Sequence, residues 1–127
     1  PAAVDRLDRA VRRFPDDLPL RALRTRMVIV QRGAEGRSAL HDFEAFCEGN
    51  ADALAELARL HLILLQEPQA ARAAALRAIA LDPSTASAHV MLGLAAQRVG
   101  DVRTARAELE RAVELDPDDA EANAVLG

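Results

Sequence analysis

Apolar residues recur along most of the chain at intervals of three and four, which is the period of an amphipathic helix. Polar residues fill the positions between them, and no segment shows the strict alternation that is typical of a half-buried strand. The pattern predicts helices over about residues 2–14, 18–32, 37–48, 51–66, 68–81, 84–99, 102–115 and 118–126. We therefore expect an all-α protein.

One spacing of small and apolar residues occurs three times, and each time it ends at a proline. Ala105, Leu109 and Ala112 are separated by four and three residues, and Pro117 follows five residues later. The other two copies are Ala71, Ala75, Ala78 and Pro83, and Ala3, Leu7, Ala10 and Pro15. Because the final prolines of the three copies are spaced by 68 and 34 residues, the chain is an array of 34-residue units.

Each unit combines two helices. The second helix carries the spacing just described, and the proline after it prevents the helix from continuing. The first helix of the clearest unit carries its own apolar stripe of His89, Leu92, Gly93, Ala96 and Val99. Small residues let the two helices approach closely, and one pair cannot bury its apolar face alone. The units must therefore stack on one another.

These positions resemble the tetratricopeptide repeat, whose pattern is W-x2-L-G-x2-Y, then A-x3-F, then P. The clearest unit reads His89-x2-Leu92-Gly93-x2-Ala96, Ala105-x3-Leu109 and Pro117. The aromatic positions of the pattern hold His, Ala and Leu in this chain, whereas the small and turn residues are retained. The resemblance implies a right-handed α-solenoid of stacked antiparallel helix pairs, with about three repeats and a partial repeat at each end.

The resemblance divides the predicted single domain, residues 1–127, into five segments. They are the second helix of a partial repeat (1–15), a degenerate repeat (16–49), a repeat (50–83), the best-matching repeat (84–117) and a truncated repeat (118–127). In the repeat 50–83, Leu57-Ala58 lies one residue early for the Leu-Gly pair, which indicates a small insertion before Pro68. In the degenerate repeat the small-residue spacing is displaced, and we expect Phe14, Phe43 and Phe46 to form a local cluster there.

Charge and composition narrow the class of partner. Residues 1–50 carry nine Arg and eight acids, and residues 51–127 carry seven Arg and twelve acids, so the net charge is +1 and −5, or −4 in total. A net acidic chain with 2% aromatic residues offers little to phosphates or stacked bases, so we expect no nucleic-acid partner. No apolar run reaches the roughly 18 residues of a membrane span, so we expect no membrane partner.

Two further features concern origin and compartment. The single cysteine excludes an internal disulfide framework and favours a cytoplasmic location. A periplasmic location stays open, because the sequence begins with Pro and a signal peptide could precede it. All 16 basic residues are Arg and alanine is abundant, a composition typical of a GC-rich bacterial genome.

Candidate catalytic chemistry is sparse. His41, Glu44 and Cys47 lie three residues apart and could form a partial metal or Cys–His site, but no motif supplies further ligands. We favour the alternative that they form the exposed side of a helix. His61 and His89 fall on apolar stripes, which favours packing histidines. We therefore predict that the chain is not an enzyme and needs neither a cofactor nor a metal.

Two charged stretches have both a plain and a functional interpretation. Seven acids lie between Glu108 and Glu121, with Arg111 as the only base among them. They are either a solvated surface that also favours a helix start, which we prefer, or a docking patch for a basic partner. Four arginines within residues 6–13 form a stripe that we likewise assign to solvent.

The resemblance also implies a binding surface, because in tetratricopeptide arrays the first helix of each unit lines a concave groove that holds a peptide or helix of another protein. The corresponding positions are Ser87, Val90, Leu94, Gln97 and Arg98, and Ala55, Arg59, Leu62 and Ile63 in the preceding unit. The resemblance thus predicts a protein–protein interaction scaffold that binds an apolar helix or an extended peptide. The Lys and Asn set of the carboxylate clamp is absent, so we do not expect chaperone-tail binding.

Two other functions stay open. The chain could be the repeat region of a larger enzyme, such as a transferase, that positions a substrate or partner. It could also be a homo-assembly module that stacks end to end through its unlike-charged, truncated ends. We also expect Ala122, Val125 and Leu126 of the truncated repeat to lack cover on one side. For the groove itself, we expect Val90 and Leu94 to be dispensable for folding.

Overall fold

The computed structural model describes residues 2–126, which form two compact units, residues 2–48 and 49–126. The first unit holds α1 (Ala2–Arg13), α2 (Leu18–Arg32) and α3 (Gly36–Phe46). The second holds α4 (Ala51–Arg59), α5 (Pro68–Leu81), α6 (Ala86–Arg98), α7 (Val102–Leu115) and α8 (Ala120–Leu126). None of residues 2–126 lies in a strand, so the predicted all-α class is confirmed.

In the first unit, α2 packs against both α1 and α3. Val4, Val28 and Ala39, one from each helix, form the buried core, and Met27 packs against them. Asp17 caps α2, because its carboxylate accepts a hydrogen bond of 3.1 Å from the backbone N–H of Leu20. A 3-10 turn, Gly33–Glu35, joins α2 to α3.

The predicted phenylalanine cluster is confirmed for two of its three rings. Phe43 and Phe46 stack with their centroids 6.0 Å apart, and the guanidinium of Arg21 lies 4.5 Å from the centroid of Phe46. Phe14 does not join them, because its side chain is exposed beside the guanidinium of Arg13.

In the second unit, α4 packs against α5 and α6 packs against α7. These two pairs stack through contacts of α6 with both α4 and α5, and α8 packs on α7. The predicted second-helix stripes are buried in both pairs: Ala71, Ala75, Ala78, Ala105, Leu109 and Ala112. The stripes therefore close each helix pair as the spacing indicated.

Gly93 shows why a small residue is needed between α6 and α7. A Cβ atom built on Gly93 would lie 2.8 Å from Cγ of Leu109 and 3.1 Å from the backbone oxygen of Ala105. A side chain at this position would require Leu109 and the nearby backbone of α7 to shift, so the glycine allows the two helices to lie this close.

The insertion predicted before Pro68 is a π-helical segment. Residues Leu60–Leu64 continue α4 as a π-helix, in which the N–H of Leu65 donates to the oxygen of Leu60 at 3.0 Å. A π-helical turn takes up one extra residue without ending the helix. This explains why Leu57-Ala58 lies one residue early while α5 keeps its register.

Candidate partner-binding surface

The nine groove positions predicted from the sequence differ in their burial. Ala55, Leu62 and Val90 are buried, with at most 2% of each residue exposed. Arg59, Ser87 and Leu94 are half-buried, and Ile63, Gln97 and Arg98 are exposed. Three of the nine residues therefore belong to the core and can reach a partner only if the helices separate.

The expectation that Val90 is dispensable for folding is wrong. Val90 has no exposed surface, because α6 packs against α4 and α5 as well as against α7. The stripe opposite Leu92 and Ala96 is thus covered by the preceding helix pair. Leu94, four residues further on, keeps part of its side chain in contact with solvent.

The six members that solvent reaches define what we call the first-helix surface. It consists of Arg59, Ile63, Ser87, Leu94, Gln97 and Arg98. It combines apolar side chains with two arginines and two uncharged polar groups. Such a composition suits a ligand with apolar side chains and a small number of carboxylates.

One member of the first-helix surface already holds a carboxylate. Arg59 donates from Nη1 to Oε2 of Glu121 at 3.1 Å and from Nη2 to Oε1 at 3.0 Å, which is the bidentate arrangement that a guanidinium prefers. The hydrogen bonds that Arg59 donates to Glu121 raise the pKa of Arg59, although its partial burial opposes the rise. Glu56, whose Oε1 lies 3.8 Å from Nε of Arg59, acts in the same direction.

Sequence reasoning missed Glu121 as a residue of this surface and assigned it to the acidic stretch instead. Glu121 lies 34 residues after Ser87, so it occupies the equivalent position of the next first helix. The 34-residue spacing, applied to the unit after the best-matching one, would therefore have identified Glu121.

His89 is a packing residue, as the sequence predicted. Its Nε2 donates to the backbone oxygen of Pro83 at 2.9 Å, and its Nδ1 lies 2.6 Å from Oε2 of Glu108. The ring stands where the family pattern has an aromatic residue, and it joins α6 to α7 through Glu108. His61 is also mostly buried, with its Nδ1 2.9 Å from Oε1 of Glu67.

The candidate site at His41, Glu44 and Cys47 does not form. His41 and Glu44 are exposed, whereas Cys47 is buried. Among residues 2–126, no group of three His, Cys, Asp or Glu side chains is arranged to hold a metal ion. In the same range, no helix is long and apolar enough to cross a membrane.

Most acids between Glu108 and Glu121 have partners within the chain. Beside the contacts of Glu108 and Glu121 already described, Glu110 pairs with Arg106 at 3.1 Å and Glu114 with Arg111 at 3.2 Å. Asp119 caps α8 by accepting a hydrogen bond of 3.0 Å from the N–H of Ala122. These contacts favour a solvated, internally paired surface over a docking patch.

The expectation that the truncated repeat lacks cover holds for only part of it. Ala122 has no exposed surface, because α8 packs on α7. Val125 is half-buried, and Leu126 remains 39% exposed. These last two residues line a cavity of about 280 Å³ with Val102 and Leu109 of α7.

Comparison with known proteins agrees with this geometry. The family model of the tetratricopeptide repeat matches residues 86–119, a range two residues later than the predicted unit 84–117. Residues 86–119 thus match a tetratricopeptide repeat. No curated protein matches it significantly.

Two solved tetratricopeptide structures resemble this chain in fold. The first TPR of Spaghetti (RPAP3), solved with the HSP90 peptide SRMEEVD, has a TM-score of 0.70 at 20% identity and covers 86% of both chains. MamA has a TM-score of 0.66 at 23% identity, over 94% of this chain and 70% of MamA. The predicted tetratricopeptide-like class of paired helices is thereby confirmed.

Proposed function

We propose that this protein is a non-catalytic scaffold of the tetratricopeptide repeat type that binds a segment of another protein on the first-helix surface. Leu94 is the observation that carries the proposal. It is an apolar residue, partly accessible to solvent, on the first helix of the unit that the family model matches. Gln97 and Arg98 lie beside it on α6 and are exposed. A related fold holds a peptide in the Spaghetti (RPAP3) structure, which supports this kind of partner.

The proposed ligand is an amphipathic helix or an extended segment with apolar anchors. Leu94 and Ile63 offer apolar contact, and Arg98 offers charge to an acidic flank of the ligand. Because Val90 is buried, Leu94 is the residue of α6 that would make the apolar contact with the ligand. We expect modest affinity, because the apolar area that solvent reaches is small.

The test is a selection of displayed random peptides against the whole protein. Peptides that bind the wild type are then titrated against Leu94→Asp, which places a carboxylate where an apolar side chain would dock. We expect binding to weaken at least tenfold, or about 1.4 kcal/mol. Leu76→Asp is the matched control, because Leu76 is 50% exposed on a second helix, α5.

The two variants separate the outcomes. Equal binding by wild type and Leu94→Asp would contradict the proposed surface. Equal loss in Leu94→Asp and Leu76→Asp would indicate a general effect of added charge rather than a site. Circular dichroism of each variant checks that the helices are retained.

Self-association is a second candidate, supported by apolar surface beside the cavity between α7 and α8. Val102 is 71% exposed there, and Leu126 is 39% exposed. Sedimentation velocity over a range of concentrations should show association that Val102→Asp abolishes and Val30→Asp leaves intact. Val30 is the control because it is 63% exposed on α2. A monomer at all concentrations would contradict this candidate.

A further inference from the structure

The Arg59–Glu121 pair joins two first helices, α4 and α8, across 62 residues of sequence. Repeat spacing, with the one-residue insertion in α4, makes Arg59 the equivalent of Leu94 and Glu121 the equivalent of Ser87. Both members of the pair therefore occupy positions that belong to the first-helix surface. The unit between them in the array is the one that contains α6.

We infer that Glu121 is an internal substitute for a carboxylate of the partner, and that Arg59 exchanges Glu121 for that carboxylate when the partner binds. The inference rests on the proposed function, since it concerns the same surface. Arg59 then selects partner segments that carry an acid, and Glu121 lowers the affinity for them.

The exchange is chemically balanced, because one carboxylate replaces another. A guanidinium presents two parallel N–H donors to any carboxylate, so the partner can reproduce both hydrogen bonds that Glu121 makes. The Arg59 and Glu121 side chains are 34% and 36% exposed, so an incoming acid can reach the pair without unfolding the helices.

Glu56 keeps Arg59 in place during the exchange. It lies one helical turn before Arg59 on α4, with its Oε1 3.8 Å from Nε, on a nitrogen that Glu121 does not use. Arg59 therefore retains an acidic neighbour after Glu121 leaves.

The geometry also specifies the partner. An apolar anchor would meet Leu94, and an Asp, Glu or terminal carboxylate would meet Arg59. Glu121 lowers the apparent affinity in proportion to the time that the internal pair is closed. If the pair is closed about nine-tenths of the time, the apparent affinity is about tenfold weaker than that of the open site.

The first experiment needs no partner and uses acetate as the probe. In Glu121→Ala, sodium acetate should raise the melting temperature by about 1–2 °C relative to sodium chloride of equal ionic strength, because acetate binds the vacated guanidinium. The wild type and the double variant Arg59→Met/Glu121→Ala should show no such difference. Glu110→Ala is the matched control, because it vacates Arg106 on the exposed face of α7.

The second experiment uses the peptides selected on the whole protein, each made with its acidic residues intact and with those residues changed to Gln or amidated. Glu121→Gln should tighten binding of the acidic peptide about three- to tenfold and leave binding of its neutral counterpart unchanged. Arg59→Met should remove the preference for the acidic peptide.

The outcomes separate this inference from the proposed function. If no peptide depends on Leu94, the proposed function fails and this inference fails with it, whatever acetate does. If peptides depend on Leu94 but Glu121→Gln does not tighten the acidic ones, the pair is only structural and the inference alone is overturned. An acetate response equal to that of Glu110→Ala would also overturn it.

Discussion

Gly93 on α6 and Leu109 on α7 approach so closely that a Cβ on Gly93 would lie 2.8 Å from Cγ of Leu109. The two residues belong to the first and second helices of one unit, so this contact fixes the spacing of the pair. The backbone oxygen of Ala105, 3.1 Å away, closes the remaining space. The glycine is therefore retained for close packing, at some cost in helix propensity.

We predict that Gly93→Leu destabilises the protein by about 1–3 kcal/mol or more, because the added side chain must push α7 away. In an exposed helix interior, the loss of a glycine would instead stabilise by up to about 1 kcal/mol. Urea denaturation of the variant and of Ala107→Leu, an exposed position on α7, measures the difference. A Gly93→Leu variant as stable as the wild type would show that the contact is loose.

The burial of Val90 gives a second prediction. Val90→Asp should cost at least about 3 kcal/mol, because it places an unpaired charge in a site without exposed surface. Leu94→Asp, one turn further along α6, should cost about 1–2 kcal/mol, because its side chain can reach water. Equal costs from the two denaturation curves would contradict the burial difference.

The helix pairs could be predicted from the sequence because each pattern used for the prediction lies within one helix or one repeat. In the second unit the alanine stripes and the prolines 34 residues apart indicate which faces meet. In α1 the same spacing marks the wrong face, because Ala3 is exposed and Val4 is the buried residue. The burial of Val90 could not be found in this way. It depends on how the preceding helix pair stacks against α6, and the helical period does not specify that contact.

The binding surface was less predictable for the same reason. The resemblance supplied positions, but the exposure of each position depends on neighbouring units. Glu121 pairs with Arg59 across 62 residues, and charge patterning within one helix cannot show such a contact.

The His89–Glu108 contact gives a third prediction. Glu108→Ala should cost about 1–3 kcal/mol, because Nδ1 of the buried His89 loses its hydrogen-bond partner. Glu110→Ala removes an exposed pair with Arg106 on the same helix and should cost less than about 0.5 kcal/mol. Thermal denaturation of both variants shows whether loss of the buried His89–Glu108 contact costs more stability than loss of the exposed Arg106–Glu110 pair.

Asp101 provides a prediction about acid. Hydrogen bonds from the side chain and the backbone N–H of Thr104 lower the pKa of Asp101 below its usual value of 3.8. A lowered pKa in the folded state means that the cap stabilises α7 above pH 3.8 and loses this effect as the pH falls through the folded-state pKa. Asp101→Asn keeps a capping oxygen without the charge, so its melting temperature should fall less between pH 5 and pH 3 than that of the wild type. An identical fall in both proteins would show that the cap is not linked to this titration.

The π-helical segment Leu60–Leu64 allows the sharpest test of the repeat register. If this segment holds one extra residue, deletion of a single exposed residue within it should convert it to regular α-helix and leave α5 in place. Ile63 is suited to deletion because it is 52% exposed. We expect the stability of this variant to lie within about 1 kcal/mol of the wild type, because the buried faces on both sides of the segment keep their partners.

The matched control is deletion of Ala107 from α7, also an exposed residue but in a helix without an insertion. This deletion rotates residues 108–115 of α7 by about 100° relative to α6, because each residue of an α-helix turns by that angle. The variant should lose cooperative unfolding or several kcal/mol of stability. Circular dichroism and urea denaturation of the two deletion variants give the comparison. If deletion of Ile63 is as damaging as deletion of Ala107, the π segment is not an insertion, and the early position of Leu57-Ala58 has another cause.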